Sequence, residues 1–334
     1  MGEEKNFDLA EKYTTLLENL EPLNYDTISD ATVLQTVAII LTKECTKKQI
    51  LRLNKTEFIN IWNEAVSAIE SSVEFFKFNY RIPVSKLLPY NALIVVFSYF
   101  FYKNKDKPNQ EQQIYLKDLF WRISLTGRYS SGVEGKIAQD VKRIDTILKG
   151  KIPKYDWSIN VSKEFISENG WFSAGKSFIK AILCLFAYQQ PKSFNDDSLV
   201  NISNAWLKQA NSKNYHHFFP KAFLEKKGKD YFLINHIANI TIVDDFLNKR
   251  VIRDKAPSKY MKEFIKNNKN ISKTMKTHLI TDLARFGVLD DNYDLFFEKR
   301  LEEISKELSS RIIEHEIDKE NPFTHLPEEY TEEM

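Results

Sequence analysis

Apolar residues recur every third or fourth position through most of the first 190 residues, and this spacing restricts the fold more than any other feature of the chain. The pattern runs through Val33, Val37, Ile40 and Leu41, then Phe58, Trp62, Ala65 and Ile69. It returns in Leu116, Leu119, Phe120 and Ile123, and in Val133, Ile137, Val141 and Ile144. Side chains three or four residues apart share one helix face, so each run can bury a stripe against a neighbour. Asn54 and Asn109 stand just ahead of acidic residues, as helix caps do. Pro83, Pro89, Pro108, Pro153 and Pro191 fall between the runs or at their edges, where a missing N–H is tolerated. Only 9 of 334 residues are glycine, too few for a sheet with many tight turns, whereas 24 Phe can fill helix–helix cores. No internal repeat of solenoid period is present. The expectation is a mainly α protein with an all-helical domain over residues 1–190.

Several classes are set aside early. At 43% hydrophobic and 28% charged residues, the chain has the composition of a folded protein rather than a disordered one. Its most apolar segment, Leu87 to Tyr102, is interrupted by Pro89, Asn91 and Ser98 and is too short to cross a bilayer, so it reads as a buried helix. The opening MGEEKNFDLAEKY is charged and lacks the apolar core of a signal peptide. Cys45 and Cys184 are too few and too distant for a disulfide framework or a thiolate metal site, which suits a reducing, cytoplasmic setting without a membrane.

From Lys213 the texture changes. Tyr215-His216-His217-Phe218-Phe219-Pro220 precedes a short amphipathic helix over 221–227 that ends at Gly228. Ile237 to Val243 is short and rich in β-branched residues, as a strand is. Helix resumes over 246–251, and Pro257 opens another in its favoured first turn. Asp290 to Glu316 reads as one long amphipathic helix. The domain expected here spans 191–320, followed by an acidic flexible tail over 321–334. Gly127 to Gly132 reads as a loop into the next helix, with Ser130 or Ser131 as its cap; Arg128 there could also touch phosphate, and no site is assigned to it.

Charge is uneven. Residues 206–276 hold 16 Lys and Arg against 6 Asp and Glu, whereas the whole chain has 48 against 46. A basic block in an otherwise acidic chain suits a polyanion, although a lysine-rich solvated surface would look the same. What distinguishes this block is the motif inside it. His216 and His217 are adjacent, and in an extended segment their side chains point to opposite faces, so one imidazole can hold a metal while the other faces a phosphate. Asn239 follows inside the second strand and Asn248 where helix resumes. Strand, strand and helix bearing His, Asn and Asn in that order make the ββα-metal arrangement. Adjacent histidines alone would equally fit a polar strand edge, Asn248 a simple cap, and Asn239 a structural amide. Asn235 and His236 could replace Asn239, or supply a ligand, if the hairpin register differed.

Tyr-His-His-Phe-Phe-Pro-Lys at 215–221, Ile-Ala-Asn-Ile-Thr-Ile-Val at 237–243, Asn-Lys-Arg at 248–250 and Ala-Pro-Ser-Lys-Tyr at 256–260 resemble the HNH (His-Me finger) half of GmrSD-like restriction proteins. Phe120 to Ser131 is similar to the helical region that joins that nuclease to the rest of such proteins. The resemblance implies a small ββα nuclease embedded in helices, acting as an endonuclease in restriction and anti-phage defence. It implies that His217 is the general base and that His216 and Asn248 are metal ligands. Asn239 would brace the loop that orients the base. A neutral imidazole can take a proton from water near neutral pH, and a divalent cation relieves charge on the leaving oxygen. A His and Asn set leaves most positions to water and phosphate, which suits Mg²⁺ or Mn²⁺, with Ni²⁺ or Zn²⁺ also admitted by the imidazole. Lys249, Arg250 and Arg253 would bind flanking phosphates.

Relatives in that family begin with an NTPase-like sensor domain, and neither its glycine loop nor its glutamine-arginine motif is found here. The expectation is therefore a separately encoded sensor subunit as partner, or a lost one, and a homodimer if both strands are cut. DNA is the expected substrate. The rival readings are an RNase, or an inactive nucleic-acid-binding or scaffolding subunit of a defence complex.

Overall fold

The structure, a computed structural model, describes residues 7–204, 215–243 and 252–328. It is mainly helical, and the one sheet among the described residues has two short strands. The chain divides into two compact units that meet in sequence between residues 156 and 157. The expected division at residue 190 therefore falls inside the second unit.

The first unit is built from α1 (Leu9–Leu20), α2 (Asp30–Thr42), α3 (Lys47–Ile50), α4 (Lys55–Phe78), α5 (Ala92–Lys103), α6 (Gln110–Leu125) and α7 (Val133–Leu148). The caps read from sequence are in place. Asn54 accepts from the N–H groups of Thr56 and Glu57, and Asn109 forms a reciprocal capping box with Gln112. α5 is the central helix, packed against α4, α2 and α7, and every side chain from Leu93 to Phe100 is buried. A helix apolar all round needs neighbours on all sides, and α5 has them. Among the described residues, no helix is long and apolar enough to cross a membrane.

The 127–132 loop differs from expectation. Neither serine caps α7; Gly132 occupies the cap position at φ +58°, a left-handed conformation that glycine adopts without a Cβ penalty. Arg128 turns inward, donating to Asp140 at 2.8 Å and to Gln139 at 2.9 Å. Tyr129 and Arg143 donate to the same buried Asp140 carboxylate. The charged motif of this region is thus a buried network holding helix to loop, in which removing one partner would strand a charge.

The second unit contains α8 (Lys163–Asn169), α9 (Ser177–Tyr188), β1 (Tyr215–His217), α10 (Lys221–Lys226), α11 (Tyr231–Ile234), β2 (Ile240–Ile242), α12 (Pro257–Asn267), α13 (Ile271–Lys276), α14 (Tyr293–Ser309) and α15 (Glu316–Glu320). α8 and α9 belong here because both pack on α14, and α9 also covers β2. The long C-terminal helix stops at Ser309, and a separate turn of helix begins at Glu316, where Asp318 accepts from the His315 N–H. An aromatic core of Phe194, Phe218, Phe219, Tyr260, Phe264 and Phe296 lies under the hairpin.

Candidate functional site

β1 and β2 pair antiparallel, with Tyr215 opposite Ile242, His216 opposite Thr241 and His217 opposite Ile240. Strand alternation sends the two imidazoles to opposite faces, as their adjacency requires. The hairpin is held from three sides. Asn239, fully buried at the end of a single 3₁₀ turn over Ile237–Asn239, accepts from the Phe219 N–H at 2.9 Å and donates to the Phe219 carbonyl at 3.0 Å and the Ile234 carbonyl at 3.1 Å. Backbone pairing continues to Phe218, whose N–H donates to the Asn239 carbonyl at 2.8 Å, and the Asn239 side-chain amide adds one further rung at Phe219. From α12, the Tyr260 hydroxyl donates to the Phe218 carbonyl. From α14, the buried Arg300 guanidinium donates to the Ile240 carbonyl at 3.1 Å and reaches the Ala238 carbonyl at 3.4 Å, with its Cζ 4.9 Å from the centroid of the Phe186 ring. Burial pulls the Arg300 pKa down to about 9, which still leaves it charged at neutral pH.

His216 is 2% exposed, against the rings of Phe194, Phe218 and Tyr260. Its Nδ1 lies 3.2 Å from the Thr241 hydroxyl oxygen, and that hydroxyl donates to the His216 carbonyl at 3.3 Å. The hydroxyl proton is therefore spent, so Nδ1 carries the imidazole proton and Oγ1 accepts it. This leaves a bare lone pair on Nε2, which is buried and has no hydrogen-bond partner among the described residues. Burial, reinforced by the neighbouring His217 and His278, drives the pKa down to about 3 and keeps the ring neutral. A neutral imidazole with one nitrogen anchored and the other orphaned is the form a metal ligand takes.

His217, on the other face, is half-buried. Its Nε2 is 3.1 Å from Asn235 Oδ1, while Asn235 Nδ2 donates to the Phe172 carbonyl at 3.2 Å. With the amide nitrogen committed, Oδ1 must accept, so Nε2 holds the proton and Nδ1 is the basic atom. Burial first, then the Lys221 ammonium, lowers the His217 pKa to about 4, against a smaller raising effect of Asn235.

Both ends of the Asn235 side-chain amide are thus engaged, Oδ1 by His217 and Nδ2 by the Phe172 carbonyl. The sequence signal was available only as an amide 18 residues away, with nothing local to pair it with the histidine. His236 is structural. Its Nε2 donates to the Ile166 carbonyl at 3.1 Å and its Nδ1 accepts from Ala238 N–H at 3.0 Å, so both nitrogens are used. Gly170 makes room for that ring, since a Cβ there would fall 2.1 Å from His236 Nε2. His278 is buried beside Phe194 and donates from Nε2 to the Lys192 carbonyl. His325 is exposed and His315 half-buried.

The structure therefore brings His216, His217 and Asn239 together on one hairpin. Asn248, Lys249 and Arg250 lie outside the described residues. Arg253 is exposed, at φ +53°. No group of three or more His, Cys, Asp or Glu side chains that could hold a metal occurs among the described residues. A site completed by an asparagine and by water would not form such a group, so the donor set in view amounts to the orphaned Nε2 of His216.

No family model matches the chain, and no solved structure does. It is similar to uncharacterized protein MJ0686 of Methanocaldococcus jannaschii, 28% identical over an alignment of 261 residues that covers 72% of this chain and 43% of that protein. The chain thus spans less than half the length of the curated relative it matches, and what the comparison adds is a related sequence in a longer archaeal protein.

Proposed function

We propose that the hairpin is the core of a His-Me finger nuclease site and that the protein is a divalent-metal-dependent endonuclease acting on DNA, as in restriction and anti-phage defence. The observation that carries this reading is the pair of oppositely facing, neutral imidazoles with complementary free nitrogens: Nε2 of His216 and Nδ1 of His217. In this reading His216 holds Mg²⁺ or Mn²⁺ together with Asn248. When bound, the cation stabilises the charge that develops on the phosphate and its leaving oxygen.

The remaining chemistry belongs to the chain. His217 takes a proton from water at Nδ1, and its neutral state at physiological pH leaves that lone pair available. An anionic phosphodiester beside it opposes the pKa depression that Lys221 and burial cause, which strengthens the base when substrate is present. Asn235 fixes the ring and its tautomer. Asn239, Tyr260 and Arg300 hold the strand and the following turn, so that neither histidine has to be ordered at the moment of reaction.

The test is nicking of supercoiled plasmid with Mg²⁺ or Mn²⁺. We expect His217→Ala to lose at least 100-fold in rate while still binding metal, in line with removal of a general base, about 10² to 10⁴. His216→Ala should lose both nicking and calorimetrically detected Mn²⁺ binding. Equal nicking by wild type and His217→Ala would remove the assignment. One observation favours a second reading: His216 lies deep among aromatic rings, as a purely structural histidine of a scaffolding subunit would. Failure of wild type to bind Mn²⁺ would select it.

A further inference from the structure

The hydrophobic faces of α12 and α13 are buried in the second unit's core: Tyr260, Met261 and Phe264 on one, Ile271, Thr274 and Met275 on the other. At 100° per residue, Lys259, Lys262 and Lys266 centre almost diametrically opposite the buried stripe of α12. Lys273 and Lys276 lie likewise on α13, with Lys269 in the link between them, and all six are exposed. Glu263 is the only carboxylate in residues 257–276, and it is engaged by Lys255. None of the six lysines forms an ion pair with a described residue. The anion-attracting first turn of α12 is already satisfied, because Asp291 accepts from both the backbone and the hydroxyl of Ser258. The positive charge is therefore carried by the outward side chains. It is tied to the hairpin through Tyr260, whose hydroxyl bonds the residue immediately after His217.

We propose that the outer faces of α12 and α13 bind the phosphate backbone of a nucleic-acid duplex beside the histidine hairpin. This rests on nucleic acid being the substrate, and it names a surface that Lys249, Arg250 and Arg253 do not include. Lys259 and Lys266 are two helical turns apart, about 10 Å at 1.5 Å per residue, a spacing that meets a regular phosphate row. Single strands are held through aromatic platforms on which bases stack, and neither helix exposes an aromatic ring. A rigid row of ammonium groups without stacking surfaces matches the duplex, where each phosphate contact displaces counterions.

The experiment is fluorescence anisotropy with a labelled 20-base-pair duplex in EDTA, so that binding is read without cleavage. The wild-type chain is compared across salt concentrations with Lys259→Gln/Lys262→Gln/Lys266→Gln. At about 0.9 per neutralised phosphate, the slope of log K against log salt should fall by up to about 2.7, with affinity weakened at least tenfold at about 0.1 M salt. The corresponding triple Lys→Arg variant should keep the wild-type slope. Lys47→Gln/Lys48→Gln/Lys55→Gln, which removes three exposed charges from the first unit, should also keep it. An unchanged slope in the first variant, an equal loss in the control, or no duplex binding by wild type overturns the proposal. His217→Ala, run in parallel, should bind as wild type does. A failure of the lysine surface thus leaves the nicking result standing, and the reverse also holds.

Discussion

At the scale of single residues, the decisive quantity is which ring nitrogen keeps its lone pair. Thr241 and Asn235 settle that for His216 and His217 respectively, each because its own second hydrogen bond is already committed. In the proposed nuclease, Asn235 is therefore a positioning residue. Asn235→Ala should slow nicking about 10- to 100-fold through kcat, with KM little changed, as loss of a supporting hydrogen bond does. Asn235→Asp separates this from a packing effect. The carboxylate still accepts from Nε2–H but favours the protonated imidazole, so the acid limb of the pH–rate profile should move to higher pH. If both variants behave alike and the profile does not move, Asn235 only packs.

At the scale of elements, the hairpin is too short to be stable by itself and depends on side chains standing in for missing ladder bonds. Asn239 satisfies three backbone groups at once. Asn239→Ala leaves those groups buried without partners and should cost about 2–5 kcal/mol, read from urea unfolding of wild type and variant. A loss below about 0.5 kcal/mol would mean that the turn is held by Tyr260 and Arg300 alone. The same element explains why a bulky aromatic pair follows the histidines. Phe218 stacks on Phe296 with ring centroids 4.9 Å apart, and Phe219 packs between Tyr293 and Phe296, fixing the turn to α14.

At the scale of the whole molecule, pH tests the burial of polar groups in the second unit. His236 and His278 are both held near pKa 4 by burial, against about 6.5 when unfolded. Between those values the unfolded chain binds more protons. Stability is therefore full above pH 6.5 and declines as pH falls towards 4, at up to about 1.4 kcal/mol per pH unit for each histidine. Urea midpoints at pH 7.5 and pH 5 should show the decline, and His278→Gln should make it shallower. A midpoint that rises towards pH 5 would contradict the buried, neutral state of these rings. Both cysteines are also buried; burial pushes the Cys45 thiol up to about 12 and that of Cys184 higher still, so neither is a reactive thiol at neutral pH.

Sequence alone determined the features governed by local periodicity and end chemistry: the helices of the first unit, the Asn54 and Asn109 caps, the opposed faces of His216 and His217, and the Ile240–Ile242 part of the expected second strand, whose first residues, Ile237–Asn239, form a 3₁₀ turn instead. Each depends on residues within a few positions of one another, where spacing translates directly into geometry. Tertiary structure decided the rest, because the partners are distant along the chain. Residues 170–172 lie beside 235–237, Arg300 reaches back to Ile240, and the Lys192 carbonyl accepts from His278 Nε2. α8 and α9 look like the helices before them in their apolar spacing, yet they join the second unit because their apolar faces meet α14 and β2. Periodicity shows that a face must be covered; only the folded chain determines what covers it, and hence which imidazoles are anchored, which are buried, and which nitrogen is left free.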